Sequence, residues 1–174
     1  MREWWLRAVL VLQSPRAVFV ALRDDTDEAA SERAEPVLLI VLLAGVAAAL
    51  ASDASTGYHG ILLAVWAGIA GGITGAAAYW FLSAVLYWAA RALGSLGSYR
   101  RARHVLAFAC VPLAISLVLS PTGQSTFQWL FRAFAAWSAA LLVIGVRAVH
   151  GWTWPRAAAA AVAPVAALSL LLAL

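Results

Sequence analysis

Residues 58–90 read YHGILLAVWAGIAGGITGAAAYWFLSAVLYWAA, more than thirty consecutive positions without an Asp, Glu, Lys or Arg. About 20 apolar residues in a helix suffice to cross a bilayer, so a helix of this length must tilt, bend or project beyond it. Other apolar runs flank it, and together they place spans at residues 36–51, 59–90, 102–119, 127–149 and 156–174. After Asp53 the chain has no Asp, Glu or Lys at all. The expected fold is all-α, a polytopic membrane protein. Residues 36–174 form a five-transmembrane-helix bundle, and residues 1–35 form a leading segment with an N-terminal interfacial helix and a charged connector.

Composition points the same way. Of 174 residues, 64% are hydrophobic and 11% charged, and mean hydropathy is +0.88. A soluble domain carries about 45–50% apolar and about 25% charged residues. All twelve basic residues are Arg, and seven of the eight acids fall within the first 35 positions. The remainder holds seven Arg against Asp53 alone. Those Arg sit in short loops between apolar runs, so they read as orientation signals and contacts to anionic lipid, not as a nucleic-acid surface. Cys110 is the single cysteine, which excludes an intrachain disulfide and a cysteine metal cluster. A secretory signal peptide fits residues 1–20 poorly, because Arg7 interrupts the apolar run and Pro15-Arg16 ends it.

In a helix over Met1 to Ser14, Trp4, Trp5, Ala8, Val9, Val11 and Leu12 share one face, opposite Glu3, Arg7, Gln13 and Ser14. Trp4, Trp5 and Arg7 suit interfacial anchoring, where an indole ring stays dry and its N–H stays wet. The same helix also reads as a short piece docked on the bundle. Residues 24–35, DDTDEAASERAE, form the connector, either a solvated helical entrance or a docking strip for a basic partner. Pro36 fits the first turn of the first span. The sixteen residues of that span rise about 24 Å against a hydrocarbon core of about 30 Å, so thinning or helical extension into the connector is required.

Within the second run, Ala64, Gly68, Gly72 and Ala76 recur at four-residue spacing with Gly71 and Gly75 beside them, a stripe for close helix packing. Gly71-Gly72 is the expected bend, and Pro112 predicts a kink in the third span. The N-terminal segment and the loops Arg91–Arg103 and Arg147–Arg156 are basic, whereas loops 52–59 and 120–128 lack Lys and Arg. With five spans these sides alternate throughout. That predicts a multi-pass protein of the inner (cytoplasmic) membrane with its N-terminus in the cytosol and its C-terminus outside.

Catalytic chemistry is sparse. A Ser/His/Asp site needs a carboxylate to orient a histidine. Asp53 and His59 share a loop, but no Gly-x-Ser-x-Gly turn accompanies them, and no P-loop is present. His59, His104 and His150 fall on two sides of the membrane, so no metal site, no cofactor and no catalytic residue is expected. Coupled carriers place Asp, Glu or His within spans. Here none lies at mid-membrane, and Arg132 can snorkel outward. The reading is a non-enzymatic scaffold or lipid-organising factor; the alternative is a small passive channel or lipid scramblase lined by Thr74, Tyr79, Ser83 and Ser116.

The polar constellation with most to say is Arg91, Arg100, Arg101, Arg103 and His104, joined by Arg147, His150 and Arg156 of the neighbouring loop. Arg forks match phosphate oxygens bidentately, so these residues form a candidate site for anionic lipid headgroups, or else only set topology. Expected partners are membrane lipids and a second copy or other membrane proteins, with no nucleic acid.

Several motifs occur in a distinctive order: Pro15-x-x-x-Phe19-x-x-Leu22, then Ser98-Tyr99-Arg100-Arg101-Ala102 entering a span that contains Cys110-Val111-Pro112. Trp137 followed by Leu142 and Gly145 comes next, then Arg156-Ala157 opening the last span. Over nearly its whole length the chain resembles a bacterial member of the Yip-domain family. The resemblance implies a five-helix membrane domain with a cytosolic N-terminus. Eukaryotic relatives take part in vesicle trafficking and contact Rab-type GTPases and each other. The long acidic, Pro-rich region of many of them has no counterpart here, so GTPase contact is not carried over.

Overall fold

Ser14-Pro15 breaks the start of the chain into two short helices, α1 (Arg2–Leu10) and α2 (Pro15–Ala21), because Pro15 has no N–H to continue the first and opens the second instead. The computed structural model describes residues 2–52, 60–122 and 124–173. Asp53, His59 and the residues between them lie outside the described residues.

Thr26 decides where the first long helix begins. Its hydroxyl accepts the Ala29 N–H at 3.3 Å, and Asp27 and Glu28 put negative charge where the helix dipole favours it. The result is α3 (Asp27–Ala51), 25 residues that absorb most of the charged connector. This corrects the expectation for Pro36, which lies inside the helix, fully buried, and not in its first turn. At about 1.5 Å per residue α3 is about 37 Å long, which removes the shortfall of the sixteen-residue span.

Helix α4 (Gly60–Ala92) runs 33 residues and passes through Gly71-Gly72 without interruption, so the expected bend produces no break. The third run divides as Pro112 predicts. Pro112 has no N–H for the Phe108 carbonyl, so α5 (Tyr99–Ala109) ends, α6 (Val111–Ser116) restarts, and a 3-10 turn covers Leu117–Thr122. Helices α7 (Gln124–His150) and α8 (Trp154–Ala173) complete the chain. Among the described residues, four helical stretches are long and apolar enough to cross a membrane: Asp27–Ala51, Gly60–Ala92, Tyr99–Pro121 and Gln124–His150; Trp154–Leu170 is a shorter apolar helix.

The tightest crossing joins α3 and α4 at glycines. A Cβ on Gly45 would lie 2.2 Å from the Gly71 carbonyl oxygen and 2.8 Å from the Gly75 Cα. Only glycine allows backbones this close. At one end of the bundle the Gln124 amide donates to the carbonyls of Leu50 (3.0 Å) and Ser52 (3.2 Å), tying the end of α3 to the start of α7. At the other end α1 and α2 pack into a core that includes Trp4, Phe19, Leu22, Leu86, Phe108 and Val146. Ile61, Val65, Ile69 and Ile73 on α4 stay exposed, an apolar surface that only lipid or another protein can cover.

Candidate functional site

Two helices end at the same place, and each ends on glycine. At the end of α4, Gly94 (φ 83°) donates to the Arg91 carbonyl at 2.9 Å and Ser95 donates to Ala90 at 2.9 Å. At the end of α7, Gly151 (φ 67°) donates to the Arg147 carbonyl at 2.9 Å. These left-handed caps satisfy part of the terminal carbonyl set. Arginines from elsewhere take two more: Arg156 at the start of α8 donates Nε (3.0 Å) and Nη2 to the Leu93 carbonyl, and Arg23 after α2 donates Nε (3.0 Å) and Nη2 (2.6 Å) to Ala148. A guanidinium suits this position because it meets both the missing hydrogen bonds and the negative end of the helix dipole. Arg101 then donates Nη2 to the Arg23 carbonyl at 2.8 Å, which links α5 to the lead-in.

An acidic clasp lies beside these caps. Arg100 Nε is 3.0 Å from Asp25 Oδ1, its Nη1 is 2.5 Å from Asp27 Oδ1, and its Nη2 donates to the Asp25 carbonyl. The Ser98 hydroxyl donates to Asp25 Oδ2 while accepting the Arg101 N–H at 3.0 Å. Burial pushes the Asp25 carboxyl up, but the Ser98 and Arg100 bonds outweigh it and hold the group below its ordinary value. Part of the connector thus meets basic groups of its own chain.

The expected anion-binding residues separate into groups. Arg100 and Arg101 belong to the clasp. Arg91 lies over Tyr87 (5.8 Å), and Arg103 lies over Trp80 (4.3 Å) and Tyr99 (5.5 Å). His104 is buried at 4% exposure. Arg147 stacks on Trp154 (4.3 Å), while the Trp152 ring takes His150 (4.5 Å) and Arg156 (4.4 Å). Gly97 brings Arg101 and His150 together: a Cβ there would sit 3.4 Å from His150 Nε2 and 3.8 Å from Arg101 Nη1. Among the described residues no group of three His, Cys, Asp or Glu could hold one metal ion.

The small residues of α4 also divide. Gly71 and Gly75 meet Gly45, whereas Gly68 has nothing within 4 Å of a built Cβ and Gly72 only Leu42 at 3.9 Å. Ala64 is exposed and Ala76 is partly buried. With 3.6 residues per turn, neighbours point about 100° apart, so Gly71 and Gly72 cannot share one contact. At the N-terminus Trp4 is 4% exposed and packs against Phe108 (5.8 Å), with Arg7 and Arg33 at 4.5 Å and 5.0 Å from its ring. Trp5 is partly buried. Trp4, Ala8 and Val11 form the docked face, and Val9, expected on that face, is exposed together with Leu6 and Leu10.

Sequence reasoning missed Arg33. It is fully buried, donating Nε to Ala29 (2.6 Å) and Nη2 to the Asp24 carbonyl. Its position in a charged run hid it. Arg23 was missed as well, because a carbonyl partner carries no sequence signal. One signal was available for the clasp: Asp24-Asp25 and Arg100-Arg101 are oppositely charged pairs expected on one side of the membrane.

Apolar helices long enough to cross a bilayer, capped at one end by arginine, define an integral, multi-pass membrane protein. The Yip1 domain matches residues 9–174, and the chain belongs to that family. Comparison with curated proteins and with solved structures returned no match. Membrane proteins of this family are generally not enzymes. Two of the family-like motifs touch in space, since the Phe19 ring packs on Gly145.

Proposed function

We propose that this Yip1 domain protein is a non-enzymatic scaffold or lipid-organising factor of the cytoplasmic membrane, crossing it five times with its basic end in the cytosol. The carrying observation is how the arginines are spent. Arg23, Arg100, Arg101 and Arg156 each hold a carbonyl or carboxylate of another segment, so the lead-in, the α4–α5 loop and the α7–α8 turn are braced into one platform. A braced basic platform suits a protein that presents a fixed surface to lipids and membrane proteins. The Arg excess at this end supports its cytosolic placement. Helix α8, with 20 residues, rises about 30 Å, enough for a fifth span.

Side-chain use favours this reading over a passive pore. The Thr74 hydroxyl donates to Ala70 (2.6 Å) and the Ser116 hydroxyl to Leu113 (2.7 Å), so both are spent on their own helices, and Ser83 is fully buried. The test is reconstitution into liposomes with lipid-scrambling and ion-flux assays, alongside native mass spectrometry of the protein extracted with its surrounding membrane. Rates equal to protein-free liposomes, with a stoichiometric partner or homo-oligomer, are expected. Fast scrambling or flux overturns the reading in favour of a channel or scramblase.

A further inference from the structure

A hollow of about 350 Å³ opens at the basic end between α2 and the α7–α8 turn. Arg16, Val20 and Arg23 form one wall, and Arg147, Gly151 and Trp152 stand across from them. No carboxylate lines it. The acids closest in sequence are committed elsewhere: Asp25 and Asp27 to Arg100, and Asp24 Oδ1 to the Thr26 N–H at 3.1 Å. Among the described residues, no ion pair joins Arg16, Arg23 or Arg147 to a carboxylate.

Each arginine has donors to offer. Arg23 is held in place by its two bonds to the Ala148 carbonyl, which leaves part of its five-donor fork unspent. Arg147 is positioned by Trp154, and its Nε is buried with no hydrogen-bond partner. Arg33 Nη1, Arg101 Nε and Arg103 Nε are buried and unpaired in the same way, so what Arg147 offers the hollow is its terminal guanidinium nitrogens. Arg16 is exposed on α2, at the mouth of the hollow. Three guanidinium groups around an acid-free hollow are a receptor for an oxyanion, and their planar forks match the oxygens of phosphate.

We propose that this hollow binds a phosphate group, monoester or diester, held by Arg16 and Arg147 with Arg23 as the prepositioned third cation. The inference deepens the lipid-organising reading and rests on it only for the lipid source of the phosphate. Arg16 and Val20, the latter 39% exposed, also border a second open groove with Ser14, Pro15 and Ala17. That apolar edge suits the glycerol and acyl part of a phospholipid, whereas a soluble phosphate would use the arginines alone.

The experiment uses the full chain reconstituted in phosphatidylcholine vesicles with and without phosphatidylglycerol, then native mass spectrometry of retained lipid. A second arm titrates the delipidated protein with inorganic phosphate. The Arg16→Gln/Arg147→Gln variant should hold about tenfold less anion, a change of about 1.4 kcal/mol, while Arg132→Gln should match the wild type. Arg16→Gln alone, at an exposed position, must move in the same direction, which guards against a folding defect in the double variant. Arginine-dependent retention of phosphatidylglycerol assigns a lipid headgroup. Arginine-dependent binding of inorganic phosphate without lipid retention assigns a soluble phosphate. Binding of phosphatidylglycerol and of inorganic phosphate that is in both cases equal in wild type and both arginine variants overturns the proposal. Neither result bears on scrambling, flux or oligomeric state, so the scaffold reading fails or stands separately.

Discussion

The ring of Phe19 occupies the space that a side chain at position 145 would need: a Cβ on Gly145 would stand 2.8 Å from Phe19 Cε1 and 3.0 Å from its Cδ1. Phe19 is fully buried, so the ring has little room to retreat. This contact fastens α2, in the cytosolic lead-in of the proposed topology, to α7.

Gly145→Ala should therefore destabilise the protein by about 1–3 kcal/mol through overpacking. Phe19→Ala should cost about 3–5 kcal/mol through the cavity it leaves. Because the two share one space, the double variant should be more stable than the sum of single effects predicts. Thermal unfolding of the purified protein followed by tryptophan fluorescence measures all three. Strict additivity would show that the ring and the glycine are not in contact.

Glycine at position 45 should be irreplaceable where glycine at 68 is not. Gly45→Ala drives a methyl into the Gly71 carbonyl and the Gly75 Cα, whereas Gly68→Ala meets open space. Expression and monodispersity after detergent extraction should fall sharply for the first and stay at wild-type level for the second. Equal behaviour of the pair would count against the α3–α4 crossing.

The clasp predicts a pH dependence. Asp25 titrates below its ordinary value of 3.8 when folded. Its contribution is therefore complete above that value and disappears as the pH falls through the folded one. At neutral pH, Asp25→Asn should be less stable than wild type by about 1 kcal/mol, since Arg100 is partly exposed and screened. The gap should close as the pH falls below the ordinary carboxylate value and through the lower, folded one. A gap that is constant with pH would mean the carboxylate charge is not what matters.

Gly72→Leu should leave the fold intact, because the nearest atom to its Cβ is Leu42 Cδ2 at 3.9 Å. If the outward face of α4 holds a second copy, the substitution should lower crosslinking between copies in membranes. An unchanged yield removes that interface.

Trp4→Ala should release α1. Its indole packs on Phe108 and lies under Arg7 and Arg33, so trypsin should cut at Arg7 faster in the variant than in the wild type. Wild-type cleavage kinetics would mean that Ala8 and Val11 dock the helix without it.

Much of the frame was legible in residue order. The Pro112 break and the length of α4 follow from local chemistry, a missing N–H in one case and uninterrupted apolar composition in the other, whereas the bend expected at Gly71-Gly72 did not interrupt the helix. The start of α3 was misread because Pro36 looks like a first-turn proline, and the weaker signal of Thr26 before Asp27-Glu28 won instead. Val9 was misplaced because α1 has apolar residues on two sides, and hydrophobicity alone does not say which side meets protein.

The sequence by itself determined the class of protein, its apolar helices and the gathering of arginine into particular segments, because each depends on composition within one stretch of chain. Only the tertiary structure decided how those arginines are used. Arg23 caps Ala148, 125 positions away, and Arg156 caps Leu93, 63 positions away, through backbone carbonyls. Every residue carries that acceptor, so nothing in the sequence marks which carbonyl will be left open. The helix ends had to be brought together before the arginines that close them, and those left facing the hollow, could be told apart.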